Sequence, residues 1–428
     1  MVLANIDIVK DSLLCFGCGT CNLVCNKEAI IMKYDNIGRL LPIINEDKCI
    51  RCGLCLKACP GIDNSGIQIP ETEDVYVGTI INTYVAKSKD EQIYRNAQSG
   101  GLVSATLKYL FEKRKIDAAI VCQVDAAFDY TPKAVIITSI SQLANSQKSS
   151  YIPIDMISEL KFCNDYHSIA FVGTGCHIQG VKAVRKFKAS LGNKISYTLG
   201  LICDRTLCKT STDILLKGLF TGKKKKLIWR DKSINYANAR ILVTTEDGES
   251  IEIPRWKRFA LKDPFTNPRC RICFDKLNTH ADIVFGDPWG MSNVDWEGGM
   301  SVILTRTKNG DELISEMITN GEISYNHASL KEVINGQHIE DRKKTVSSAI
   351  KIYKKNKWEV PQYAEKLITD ANINGLEKKI SQFLKESKLS KDEIIDKNIK
   401  RLKVLQLKTH LLECLLFPIR LIKHRIEQ

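Results

Sequence analysis

Eight of the sixteen cysteines stand between Cys15 and Cys59, in two runs of one design. The runs read Cys15-Phe-Gly-Cys18-Gly-Thr-Cys21-Asn-Leu-Val-Cys25 and Cys49-Ile-Arg-Cys52-Gly-Leu-Cys55-Leu-Lys-Ala-Cys59-Pro60. A cubane iron-sulfur cluster needs four thiolates converging on its irons. A C-x-x-C-x-x-C run wraps three of them around one cluster, and the following cysteine reaches the other. The spacing therefore predicts one 4Fe-4S cluster on Cys15, Cys18, Cys21 and Cys59 and a second on Cys49, Cys52, Cys55 and Cys25. Gly19 and Gly53 occupy the same place in each run, where a missing side chain lets backbone N–H groups approach the sulfides. The second run has its Pro60, whereas the first has Asn26. Structural zinc is the alternative; it takes paired C-x-x-C arms and requires neither a third cysteine at that spacing nor a fourth.

Four further cysteines suggest a third cluster. Cys176 follows the strand-turn-helix pattern Ser168-Ile-Ala-Phe-Val-Gly-Thr-Gly-Cys176, and Cys203 ends the next apolar strand, so both emerge at the carboxyl edge of a sheet, where open α/β sheets build sites. The C-x-x-C pair Cys270 and Cys273 closes the set, with Cys208 as a competing ligand. Buried, inert cysteine is the plain alternative, and it is the reading for the scattered Cys122, Cys163 and Cys414.

The duplication occupies roughly the first 72 residues and ends in the polar stretch Pro70, Glu71, Thr72, Glu73, Asp74, which reads as a domain boundary. It is similar to the bacterial two-cluster ferredoxin fold, so residues 1–74 are expected to form an α+β ferredoxin-like unit. Over 75–353, short β-rich runs alternate with helical periodicity and predict an α/β domain. Ile116 to Val124, Ser168 to Val172, Ile195 to Ile202 and Ala281 to Phe285 read as strands. Leu102, Val103, Thr106, Leu107, Leu110 and Phe111 fit one helical face, and Ile178, Val181, Val184 and Phe187 another. Residues 354–428 turn Lys-rich and helical, with polar breaks near Asn372 and Ser390, and read as an appended tail. Within it, Leu402, Leu405, Leu411, Leu412, Leu415, Leu416 and Phe417 alternate with bases up to and past Pro418. This pattern suits peripheral membrane contact or partner docking, against a plain amphipathic helix packed on the body.

The 428 residues, 44% hydrophobic and 26% charged, describe ordinary globular material in two or three units. The formal charge of +14 suits an anionic partner, although dispersed surface lysine gives the same excess. Lys223 to Lys226 reads as a solvated loop. Cysteines at metal-site spacing point to a reducing, cytoplasmic compartment. No secretory signal or spanning segment is evident, and membrane association, if any, is expected at the inner face. No Ser-His-Asp set, G-x-x-x-x-G-K loop or H-E-x-x-H is present, so hydrolysis and nucleoside triphosphate chemistry have no carriers. A basic zinc protein binding nucleic acid would need a clustered basic face that the motifs do not show.

Several strings resemble the coenzyme F-420 hydrogenase/dehydrogenase beta subunit family over roughly residues 75 to 320. They are Gln98-Ser99-Gly100-Gly101-Leu-Val-Ser104-Ala, Phe171-Val-Gly-Thr-Gly-Cys176-His-Ile-Gln179-Gly180, Leu201-Ile-Cys203, and Cys270-Arg-Ile-Cys273-Phe-Asp-Lys276-Leu-Asn278. The last is followed by Ala281-Asp282-Ile-Val-Phe-Gly286-Asp287-Pro-Trp289-Gly290. The resemblance implies a flavin-binding α/β domain carrying FAD, fed by iron-sulfur clusters. Its relatives include enzymes that reduce the deazaflavin coenzyme F-420 and chlorophyll-pathway reductases, and ferredoxin-fused bacterial ones occur with genes for polysaccharide biosynthesis.

On this resemblance, Ser99, Gly100, Gly101 and Ser104 at a helix start, and Gly173, Thr174 and Gly175 at another, are expected to cradle the cofactor; an ordinary turn is the alternative. Asp287 is expected to meet a ribityl hydroxyl or orient a ligand, or simply to form a turn. Lys276 and Arg271 flank the C-x-x-C and would pair with FAD phosphates, raise the cluster potential, or stand as exposed charge. The chain departs from the family at Gly175 and His177, where Pro and Gln are usual. It departs again at Ser149-Ser150-Tyr151, where the family motif ends Ser-Lys-Tyr, which removes a positive charge near the flavin and weakens the case for deazaflavin. The expectation is an iron-sulfur flavoprotein oxidoreductase exchanging a hydride with a small-molecule substrate, or an electron-transfer subunit of a larger redox complex whose substrate belongs to a partner protein. A flavin is needed because clusters move single electrons and a hydride carries two.

Overall fold

Side chains that alternate between two apolar faces build the central sheet. A computed structural model of the chain describes residues 5–62, 74–124, 130–217, 224–245, 248–370 and 375–426. The expected boundary residues Pro70 to Glu73, and Lys223, lie outside them. An antiparallel hairpin, β1 (Ile30–Tyr34) and β2 (Leu40–Ile44), belongs to the cysteine-rich unit. The body then lays down β3 (Asn82–Ser88), β4 (Ala118–Val124), β5 (Pro132–Ile137), β6 (Ile169–Thr174) and β7 (Ile195–Leu201). After β8 (Lys224–Asp231), β9 (Arg240–Thr245) and β10 (Ser250–Ile253), which form their own antiparallel sheet, the main sheet is completed by β11 (Ile283–Gly286), β12 (Ser301–Thr305) and β13 (Ile323–His327).

The eight strands run in the order β13-β3-β12-β11-β7-β6-β4-β5. The centre, β11-β7-β6-β4, is parallel and the flanks are antiparallel. Ala118 and Ile120 of β4, with Ile169 and Phe171 of β6, join one core with Ile178, Val181 and Val184 of the helix Gly175–Phe187. Ala119, Val121, Ala170 and Val172 point the other way, to Leu102, Leu107 and Leu110 of the helix Leu102–Glu112. Alternation with helices on both faces is what an α/β sheet demands.

The cysteine-rich unit is fused to this body. Ile6, Val9, Leu14 and Leu23 lie in the same core as Ile157, Val181 and Ile272. Its two short helices, Thr20–Val24 and Leu54–Lys57, each start after a left-handed glycine, Gly19 (φ 87°) and Gly53 (φ 72°), a conformation that L side chains resist.

Two expectations need correction. The run at Lys224 to Lys226 opens strand β8 rather than a loop. The appended tail is in part core: Tyr363, Leu367 and Ile380 pack into the body, and Phe383, Ile394 and Ile395 join Trp229, Ile241 and Phe265 of the β8–β10 unit. Lys217 to Asp396 (2.9 Å) and Lys391 to Asp213 (2.9 Å) tie the last helix, Lys391–Ile426, to it. The backbone of that helix continues through Pro418. Among the described residues no helix is long and apolar enough to cross a membrane.

Candidate metal centres and cofactor cavity

Cys15, Cys18, Cys21 and Cys59 line one small void together with Phe16 and Met32. Burial pushes the Cys15 thiol up to about 12, with Cys18 adding to the effect. Cys21 is raised by burial and then by Cys15, Cys59 and Cys18. Acidic groups pressed together in a dry site resist ionisation unless cations arrive to balance them. Backbone N–H groups already point at two of the sulfurs, Gly17 to Cys15 (3.4 Å) and Gly61 to Cys59 (3.3 Å). In the second group Cys55 is raised by burial and feels Cys25 and Cys52, and Ala29 N–H donates to Cys25 (3.4 Å). Cys52 is exposed and Cys49 half-buried. Among the described residues no three His, Cys, Asp or Glu side chains gather closely enough to share one ion.

The third set comes from four separate places. Cys176 starts the helix Gly175–Phe187, Cys203 follows β7, Cys270 sits in the turn of helix Pro268–Arg271, and Cys273 lies just beyond. After burial, Cys176 feels Cys18, Cys203 and Cys270, and Cys203 feels Cys270 and Cys273. The first group and this set are therefore neighbours. Cys203 N–H donates to Lys276 O (3.0 Å) and Thr206 N–H to Cys270 Sγ (3.4 Å). Arg342 clamps the loops, donating to Cys273 O (2.9 Å), Cys270 O (2.9 Å) and Asp204 O (3.0 Å). Cys208 sits in the core with Ile37, Tyr130 and Ile214, on the Cys270 side.

Arg269 is the most telling side chain here. It is fully buried, and its hydrogen bonds go to Gly61 O (3.2 Å), Ile272 O (2.9 Å) and Tyr363 Oη (2.5 Å), with the guanidinium 4.3 Å from the Phe16 ring centroid. Its charge acts on Cys15, Cys59 and Cys273. A buried guanidinium hydrogen-bonded to carbonyls and a phenol calls for counter-charge, which the cysteine groups on either side would supply as iron-bound thiolates.

A cavity of about 790 Å³ opens at the carboxyl ends of the parallel strands and is lined by Thr174, Leu201 and Gly286 from their tips. Cys176 and Cys203 form part of its wall, and so does Phe16 from the first cysteine run. Ser99, Gly101, Ser104, Gly173, Thr174, Lys276 and Asp287 line it. Two expected residues work behind the wall instead. A Cβ on Gly100 would lie 2.6 Å from Ala86 O, and its N–H donates to Ser301 Oγ (3.0 Å), so it seats the turn on the sheet. A Cβ on Gly175 would lie 2.6 Å from Asp275 Oδ2, so it lets that helix approach the cysteine loop. Thr174 caps the helix through His177 Nδ1 (3.0 Å), and burial lowers His177 to about 4.

Lys276 and Arg271 are buried, not exposed. Lys276 Nζ donates to Gln337 O (2.5 Å), whereas Arg271 turns to Asp263 O (2.6 Å) and away from the cavity. Burial works against Asp204, yet Arg205, Lys276, Arg342 and Lys262 hold its carboxyl far below the usual range. Asp287 pairs with Arg230 and accepts from Tyr236 Oη (2.8 Å).

Known protein families account for most of the chain. The model of the coenzyme F420 hydrogenase/dehydrogenase beta subunit matches at residues 83–161 (N-terminal part) and 166–331 (C terminus), together more than half the chain, and a 4Fe-4S dicluster domain matches residues 14–63. The chain belongs to the coenzyme F420 hydrogenase/dehydrogenase beta subunit family. It is 29% identical to the coenzyme F420-dependent sulfite reductase of Methanocaldococcus jannaschii, over 78% of this chain and 49% of that one, so it spans about half that relative's length. It is 25% identical to the beta subunit of the coenzyme F420 hydrogenase of Methanosarcina barkeri, over 58% of this chain and 82% of that one. A chain in the F420-reducing [NiFe] hydrogenase complex from Methanosarcina barkeri has a similar fold, with TM-score 0.52, 21% identity, and coverage of 67% of this chain and 96% of that chain.

Within this family framework, sequence reading passed over Gln98, Arg230, Arg258 and Arg269. Gln98 was visible in its motif; its buried Oε1 has no hydrogen-bond partner among the described residues, and it lines the cavity. Arg269 directly precedes Cys270, and Arg258 follows Arg255 and Lys257 in a basic run, but no spacing marks the role of any of the three. Lys148 and Arg258 line the same cavity as Ser150, with Arg258 5.5 Å from the Tyr151 ring centroid.

Proposed function

We propose that this chain is an iron-sulfur flavoprotein oxidoreductase with three 4Fe-4S clusters and one FAD, exchanging a hydride with an organic substrate. One observation carries the reading: cysteine groups lead inward from exposed Cys52, through Cys15, Cys18, Cys21 and Cys59, to Cys176 and Cys203 in the wall of a single large cavity. When bound, the clusters supply one-electron steps and the flavin joins them to two-electron hydride chemistry. Cys176, Cys203, Cys270 and Cys273 would hold the third cluster. The Ser99 to Gly101 turn, Ser104, Gly173 and Thr174 would receive the dinucleotide, with apolar Leu102, Leu107, Val121 and Phe285 excluding water from the ring.

Lys232 steadies that turn, donating to Ser99 O (2.6 Å) and Gly298 O (2.9 Å). The cavity's size falls within the range of cofactor sites. Relatives named for coenzyme F420 make a deazaflavin the first acceptor to try, and thiols grouped for metal suit a reducing, cytoplasmic setting.

The experiment is an anaerobic preparation analysed for iron, sulfide and flavin. About twelve irons and one FAD per chain are expected. About eight irons would remove the third cluster, and absence of flavin would sink the oxidoreductase reading.

A second reading, an electron-transfer subunit docked on a larger redox partner, is favoured by the exposed second cysteine group. It predicts that reduced protein passes electrons to a partner but to no free deazaflavin. The exposed Val404, Leu407 and Leu411, beside Lys400, Arg401, Lys403 and Lys408, support peripheral contact with an anionic membrane surface.

A further inference from the structure

The mouth of the cavity carries a positive charge that its own side chains leave uncompensated. Arg230, from β8, is 95% buried, its guanidinium held 5.2 Å from the ring centroids of both Tyr236 and Trp289. One amine pairs with Asp287; the other, Nη2, is buried without a hydrogen-bond partner among the described residues. Arg258 and Arg255 reach the same cavity from the helix Arg255–Phe265. Arg255 donates to Ala237 O (3.2 Å) and Asn238 Oδ1 (3.3 Å), whereas Arg258 rests on the rings of Tyr151 and Phe259 and makes no hydrogen bond or ion pair among the described residues. Burial lowers Arg258, and the neighbouring Arg230 and Arg255 lower it further, with Tyr151 and Asp287 opposing. Among the described residues Asp287 is the carboxylate that acts on both Arg230 and Arg258, and a further anion is the missing partner.

We propose that Arg230 and Arg258 form a subsite for the phosphate or carboxylate group of the organic substrate. This rests on the reading that hydride exchange takes place in this cavity. Two sources of such a group compete, the substrate and the resident dinucleotide. Position favours the substrate. Arg258 comes from the helix Arg255–Phe265 and rests on exposed Phe259, and Arg230 rests on exposed Trp289, so both stand beside the exposed rim, while the glycine and serine turns are built on strands of the main sheet. A ligand that leaves after each turnover needs its anchor at the entrance. Planar guanidiniums resting on aromatic faces also give a fixed fork for a bidentate oxyanion.

The test compares 5-deaza-FMN with 5-deazariboflavin, which differ by one phosphate, as acceptors for the dithionite-reduced holoprotein, in wild type and in Arg258→Ala and Arg258→Lys. Wild type is expected to favour the phosphorylated acceptor at least tenfold in kcat/KM, through KM. Arg258→Ala brings that preference within twofold, keeps the rate with 5-deazariboflavin and keeps its flavin, and Arg258→Lys restores part of it. Equal use of both acceptors by wild type, or a preference that survives in Arg258→Ala, overturns the proposal. Loss of bound flavin from Arg258→Ala also overturns it, because the arginine would then serve the resident cofactor. Calorimetry with inorganic pyrophosphate, run on the same proteins, needs no turnover. If the purified chain holds no flavin, pyrophosphate binding that Arg258→Ala abolishes keeps the anion site while the flavin reading falls, and no binding ends both.

Discussion

The two cysteine runs share one spacing, yet the fold treats them in opposite ways. The first is enclosed. Its helix Thr20–Val24 packs on the helix Gly175–Phe187, where a Cβ on Gly180 would lie 2.4 Å from Thr20 Oγ1. Asn22 is held by Ser158 Oγ (2.8 Å) and Lys161 Nζ (2.7 Å), and the β1–β2 turn is held by Lys209 N–H on Gly38 O (2.8 Å). The second run stays at the surface, with Ile50 63% exposed and Arg51 paired only loosely to Glu46 (3.3 Å). Duplication supplied two equivalent ligand sets, and docking made them unequal: one faces the body's own cysteines and the other faces solvent. On the proposed function, the surface set is where electrons would be exchanged with a partner and the enclosed set is the passage to the cavity.

The sharpest way to break this comparison is at the paired glycines. Both hold left-handed backbone, so an alanine at either costs about 1 kcal/mol or somewhat more in conformation. At Gly19 the added Cβ would also fall 1.6 Å from Asp155 Oδ1. The Asp155 carboxylate is fixed there by Ser158 N–H (3.0 Å) and Ser158 Oγ (2.6 Å). Gly19→Ala is expected to cost about 4 kcal/mol or more and to lose iron. Gly53→Ala should keep its iron and lower the thermal midpoint by a few degrees. Iron content and thermal melts of the two variants decide the matter, and equal losses would mean the runs are not docked unequally.

Arg269 gives a smaller and more specific effect. It belongs to the enclosed side alone, acting on Cys15, Cys59 and Cys273. A buried cation stabilises the more negative, reduced form of a cluster beside it. Arg269→Gln should therefore lower the potentials of the inner centres and leave that of the centre on Cys25, Cys49, Cys52 and Cys55 in place. Redox titration followed by electron paramagnetic resonance reads each centre separately. A uniform shift of all centres would contradict the division into surface and enclosed sets.

Much of this was legible in the sequence, and the reason is locality. The cysteine spacing, Gly19 and Gly53, the parallel strands around Thr174 and Leu201, and the cavity residues Ser99, Gly101, Thr174 and Asp287 all announce themselves within a dozen neighbours. The inequality of the two runs does not, because it is decided by Asp155, Ser158 and Lys161, more than a hundred residues away. Gly100 and Gly175 fell inside motifs but serve packing, since a glycine that admits a ligand and one that admits a neighbouring strand or carboxylate look alike in one dimension. Arg230, Arg258 and Arg269 needed three dimensions altogether: a charge matters by what surrounds it. The tail was read as peripheral because its lysines dominate, and Phe383, Ile394 and Ile395 were too sparse to reveal a docked face.

The mildest test lies on the surface side. Ile50 stands beside Cys49 and Cys52 with its side chain in water, where an exposed apolar residue next to a redox centre suits transient docking of an electron donor. Ile50→Asp buries nothing new and removes no packing, so stability should move by no more than about 0.5 kcal/mol and iron content should not change. Reduction of the protein by a protein donor should slow several-fold, because the new charge must be desolvated at the contact, while reduction by the small molecule dithionite keeps its rate. The same substitution at enclosed Leu23 would instead place a carboxylate in the core and destabilise the fold outright. If Ile50→Asp leaves protein-mediated reduction untouched, electrons enter elsewhere and the exposed run is not the door.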